Sequence, residues 1–113
     1  MSTVDVGPKV LVIETDELLA QHVSTDLQES GYEATIAHDA AAGLQQARAM
    51  QPALVVIDRM LAGESGLSLC SHLRADGARM PVLLLMARDS LEDRVACMQA
   101  GADDYFLCLL YTS

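Results

Sequence analysis

The chain has 113 residues, 51% of them hydrophobic, which is one domain's worth with enough apolar side chains to bury a core unaided by metal or disulfides. Sixteen acids against seven bases leave a formal charge of −9, a field that repels nucleic-acid phosphates and anionic membrane surfaces, so no nucleic-acid or membrane partner is expected for this chain alone. The apolar runs are strand-sized and Met1 to Pro8 lacks the layout of a signal peptide, which points to a cytoplasmic protein with a short N-terminal tail over 1–8. Cys70, Cys97 and Cys108 are an odd number without C-x-x-C spacing and read as small thiols, mostly buried.

Short solid apolar runs alternate with longer helical stripes, the pattern of βαβ units around a parallel sheet, and the fold class is therefore α/β, doubly wound. The first strand is Val10 to Ile13. Asp16 caps a helix carrying Leu19, Val23 and Leu27, which closes at Ser30-Gly31. A second strand covers Ala34 to Ala37, and Asp39 caps a helix whose buried side is Ala40, Leu44 and Ala47, ended before Pro52. The third strand, Ala53 to Ile57, is apolar at every position, as a central strand covered on both faces should be, and runs directly into Asp58. A loop over Arg59 to Gly66 leads to a helix striped by Leu69, Cys70 and Leu73. Val82 to Met86 form the fourth strand. Ser90 with Asp93 resembles a capping box for a helix marked by Leu91, Val95 and Met98 up to Gly101, and Tyr105 to Leu110 form the fifth strand. Five strands with four helices leave one face of the last strand without its expected cover.

In open parallel sheets, ligands sit beyond the carboxyl ends of the strands, where the winding reverses. If the first and third strands are neighbours, Glu14 and Asp58 converge there into an acidic pocket suited to Mg²⁺, a hard cation that takes one or two carboxylates and keeps several waters. Asp16 reads first as a helix cap. Other constellations are weaker. Cys70 and His72, two apart on a helix, point to different sides and have no second ligand pair. A flavin phosphate would be repelled by Glu14 and Asp16, and a phosphatase of the haloacid-dehalogenase type would need a carboxylate where Met60 stands, so the chain does not read as an enzyme.

The stretches VLVIETDELL, PALVVIDRMLAGESGLSLC, MPVLLLMARDSLEDRV and AGADDY resemble the receiver domain of bacterial two-component response regulators, closest to the OmpR/PhoB branch. The resemblance implies a flavodoxin-like, five-stranded parallel sheet in the order 2-1-3-4-5 over residues 9–113. It also implies a phosphoacceptor aspartate, here Asp58, served by a histidine kinase or another signalling protein, with Mg²⁺ held by Glu14, Asp58 and the backbone carbonyl of Met60. Three positions depart from the family pattern: Thr15 replaces the second acid after the first strand, Met86 the fourth strand's switch hydroxyl, and Cys108 the fifth strand's lysine. Weak or absent Mg²⁺ binding follows from the lost charge at Thr15. Tyr105 matches the family's switch aromatic, while Arg94, Asp103 and Asp104 match charged positions of the face through which the branch dimerises, formed by the fourth helix and fifth strand. Past about residue 107 the likeness collapses, so the C-terminal end reads as truncated or altered, with the last helix missing. A narrower likeness, to a cyanobacterial stress-response regulator with a degenerate site, rests on VIETDELL, IDRMLAGESGL and LMARDSLEDRV.

The expected role is an atypical receiver, a protein-protein interaction switch largely independent of phosphorylation that regulates an attached DNA-binding output domain. The alternative is a conventional receiver phosphorylated on Asp58.

Overall fold

The computed structural model describes residues 7–87 and 90–107. Its elements follow in strict alternation: β1 (Lys9–Ile13), α1 (Glu17–Glu29), β2 (Glu33–Ala37), α2 (Ala40–Met50), β3 (Leu54–Asp58), α3 (Gly66–Ala75), β4 (Val82–Met86), α4 (Leu91–Ala100) and β5 (Asp104–Leu107). All pairings are parallel and the sheet order is β2-β1-β3-β4-β5. The winding therefore reverses between β1 and β3, where Ile13 pairs with Ile57 and the next residues along are Glu14 and Asp58.

Alternation along the strands sends side chains to opposite faces and builds two cores. Leu11, Ile13, Val55, Ile57, Leu84 and Met86 pack with Ala47, Leu69, Leu73 and Cys97 from α2, α3 and α4. Val10, Val12, Val56 and Leu85 pack on the other face with Val23 and Leu27 of α1. Each fully buried aliphatic contributes about 1.5–3 kcal/mol, so the three central strands dominate the stability. Among the described residues no helix is long and apolar enough to cross a membrane.

The helix ends are set by polar side chains. Asp16 accepts from the backbone N–H groups of Leu18 and Leu19 at 2.9 and 3.1 Å, which satisfies free donors of the first turn of α1. Asp39, Ser65 and Ser90 cap α2, α3 and α4 in the same way. The loop expected to run through Gly66 ends one residue sooner, because Gly66 opens α3 with its backbone pressed on the Asp58 carbonyl: an added Cβ would stand 2.1 Å from that oxygen.

One expectation about the far edge needs correction. Leu91, Val95 and Met98 do not face the core; Leu91 and Met98 are 77% and 76% exposed, and the inner face of α4 is Asp93, Cys97 and Ala100. Spacing alone cannot tell which of two stripes on a short helix turns inward. The described part of β5 leaves Phe106 and Leu107 exposed, in line with the strand's expected lack of cover on one face, and residues 108–110 of the expected strand lie outside the described residues.

Candidate functional site

Parallel pairing of β1 with β3 brings Glu14 and Asp58 together at the carboxyl end of the sheet, both buried. Asp58 closes β3 and its Oδ1 accepts from the Met60 N–H at 2.9 Å, which turns the chain away from the strand. Glu14 is completely buried; its Oε2 accepts from the Asp16 N–H at 3.0 Å, while its Oε1 has no hydrogen-bond partner among the described residues. Burial first, then the neighbouring Asp58 carboxyl, pushes the Glu14 carboxyl up to about 8. An orphaned carboxyl oxygen beside a second carboxyl is satisfied by a shared proton or by a cation.

The donor set suits a hard cation but is thin. Glu14, Asp58 and the Met60 carbonyl would hold it, with water completing the shell. Thr15, where a further acid would strengthen the site, is tied elsewhere: its Oγ1 accepts from the Ala62 N–H at 2.9 Å and anchors the loop after β3. Asp16 is committed to capping α1. Among the described residues no cluster of three or more His, Cys, Asp or Glu is placed to hold a metal.

Met86 lies at the end of β4, fully buried, with the Cys97 thiol against its sulfur at 3.6 Å. It fills the space beneath α4 and presents no donor to the acidic pocket. Cys108 lies outside the described residues.

Around α4 the structure adds contacts that spacing does not reveal. The guanidinium of Arg59, the residue after Asp58, pairs with the buried carboxylate of Asp93, whose other oxygen accepts from the Ser90 hydroxyl at 2.8 Å. Arg94 lies over the Tyr105 ring, 5.6 Å from its centroid, which brings two of the expected interface residues together. Asp104 is exposed and accepts from the Tyr105 N–H at 2.8 Å. Asp103 is held within the chain, accepting from Arg74 at 2.7 Å and from the Val82 N–H at 2.8 Å. Arg74 also donates to the carbonyls of Gly101, Ala78 and Met80 and so joins α3 to the segments that lead into β4 and β5.

A 2-1-3-4-5 parallel sheet with a buried carboxyl pair at the reversal of winding defines a CheY-like α/β signalling module. The family profile described as the response regulator receiver domain matches residues 10–107, and the chain belongs to that family. It is 43% identical over 96 residues to the probable transcriptional regulatory protein TcrX of Mycobacterium tuberculosis, covering 85% of this chain and 41% of that protein. It is 37% identical over 97 residues to the response regulator MprA of Mycobacterium ulcerans, covering 86% of this chain and 42% of that one. The chain thus spans about two-fifths of the length of these relatives. Among solved structures, the receiver domain of a Francisella response regulator superposes with a TM-score of 0.85 at 35% identity, covering 89% of this chain and 84% of that one. The beryllofluoride-activated receiver domain of Klebsiella pneumoniae RstA superposes with a TM-score of 0.82 at 26% identity, covering 88% and 84%.

Receiver domains are signalling modules that interact with histidine kinases and output domains, and they commonly bind Mg²⁺ at the acidic pocket. These mycobacterial relatives lend no support to the narrower cyanobacterial likeness.

Proposed function

We propose that this receiver is an atypical one: a protein-protein interaction switch whose signalling state is set largely without phosphorylation of Asp58, normally regulating an attached DNA-binding output domain. The observation that carries this reading is the side chain of Met86, buried against Cys97 at the strand end from which family members offer a hydroxyl to the phosphoryl group. A phosphoryl group shifts a conformational equilibrium only through contacts that differ between the two states, and a buried thioether supplies none.

The pocket supports weak Mg²⁺ binding, through Glu14, Asp58 and the Met60 carbonyl, since Thr15 brings no charge and bonds Ala62 instead. When bound, Mg²⁺ would offset negative charge between the two carboxylates. Partners of this reading are a histidine kinase or another signalling protein, and a second copy meeting the face of α4 and β5 near Arg94, Asp103, Asp104 and Tyr105.

The alternative, a conventional receiver phosphorylated on Asp58, draws on the retained Glu14 and Asp58 pair. Incubation with a small phosphodonor and Mg²⁺, followed by intact mass, separates the two at the chemical level, and Asp58→Ala in the whole regulator separates them at the level of output. The proposed reading expects little mass gain and an output close to wild type. Stoichiometric phosphorylation together with loss of output in Asp58→Ala would establish the alternative.

A further inference from the structure

We propose that the ion pair between Arg59 and Asp93 is a positioning clamp that fixes the orientation of α4 without a phosphoryl group, an inference that rests on the phosphorylation-independent reading above. Arg59 follows Asp58 at the end of β3, and its guanidinium crosses to the first turn of α4 to meet Asp93. The pair is well shielded: the Asp93 side chain is 6% exposed and that of Arg59 31%. Asp93 is further fixed by Ser90, whose hydroxyl donates to one carboxylate oxygen and accepts from the Asp93 N–H at 3.1 Å. One helical turn on, Cys97 rests on Met86, so the inner face of α4 is seated on the ends of both β3 and β4.

This seating decides which side of α4 faces solvent. Asp93, Cys97 and Ala100 stand at i, i+4 and i+7 and form the buried stripe; Leu91, Val95 and Met98 stand at the same spacing on the outward stripe. By hydrophobicity alone the helix would prefer to turn Leu91, Val95 and Met98 inward, and a buried carboxylate is tolerated on the inner face because a cation meets it there. Arg59 therefore selects the less apolar of two possible inner faces and holds the apolar one out. A family member would use charge arriving at the phosphoacceptor to shift α4; here a permanent charge on the adjoining residue does the holding.

The test is amide hydrogen exchange on the intact 113-residue chain, comparing Arg59→Gln, Asp93→Asn, the double variant and Arg59→Lys. Exchange of the α4 amides should accelerate about tenfold or more in Arg59→Gln and in Asp93→Asn, with the amides of β1 and β3 changing far less. The double variant should be no worse than the poorer single one, because both remove the same interaction. Arg59→Lys, which keeps the charge, should restore most of the protection and so guards against misfolding of the Gln variant. Unchanged α4 exchange, equal acceleration across α4 and the central strands, or additive effects in the double variant would each overturn the clamp. Exchange with a small phosphodonor and Mg²⁺ serves as the separate arm: a change in α4 protection that appears with the donor and is absent in Asp58→Ala would contradict the phosphorylation-independent reading while leaving the clamp variants to be judged on their own result.

Discussion

Replacing Glu14 by Gln should stabilise the protein, increasingly so as pH rises. Glu14 is fully buried, its Oε1 lacks a partner among the described residues, and its carboxyl is pushed up from 4.5 to about 8, chiefly by burial and then by Asp58. A raised carboxyl binds its proton more tightly folded than unfolded, so between these two values the folded state holds the extra proton and stability falls as pH rises. The loss begins above the unfolded value and is complete above the folded one. At about 1.4 kcal/mol per pKa unit the full effect is bounded near 5 kcal/mol. Gln keeps the shape and hydrogen bonding of the protonated acid but does not titrate. Urea unfolding of both proteins from pH 5.5 to 8.5, with chelator present to remove divalent cations, should show the wild type losing stability across the range and Glu14→Gln staying nearly level. A wild type that gains stability over that window, or a Glu14→Gln variant less stable than wild type at pH 8.5, would refute the reasoning.

Mg²⁺ should bind only at about millimolar concentrations, and Thr15→Asp, which adds a carboxylate beside Glu14, should tighten binding about tenfold in a titration followed by calorimetry. Gly66→Ala would press a methyl group onto the Asp58 carbonyl and the Arg59 Cα, all backbone atoms, and should lower stability by about 2–3 kcal/mol, read as a shift in the urea midpoint.

Much of this molecule is written plainly in its residue pattern. Val55 to Ile57 and Val82 to Met86 are apolar at every position because both faces of those strands are covered, and the order of the sheet then forces Glu14 and Asp58 together. Caps at Asp16, Asp39 and Ser90 stand where short polar side chains precede helical stripes. What stayed hidden depends on partners distant in the chain. The inner face of α4 is chosen by Arg59, 34 residues before Asp93, and Thr15 is spent on a backbone N–H 47 residues away. Asp103, expected on the α4 and β5 face, also meets Arg74, 29 residues earlier. Spacing reports which residues share a face, whereas it takes the tertiary fold to say what meets that face.

The most direct measurement of the central claim is a set of amide NMR spectra of the isotopically labelled chain before and after addition of beryllofluoride and Mg²⁺, which mimic a phosphoryl group on the acceptor carboxylate. On the proposed reading, Met86 packed against Cys97 gives occupation of the pocket no lever on β4, and the Arg59–Asp93 pair already holds α4. The account predicts that any shifts stay with Glu14 to Asp16 and Asp58 to Ala62. Shifts that spread through Leu91 to Leu107 at saturating beryllofluoride, and vanish in Asp58→Ala, would contradict it.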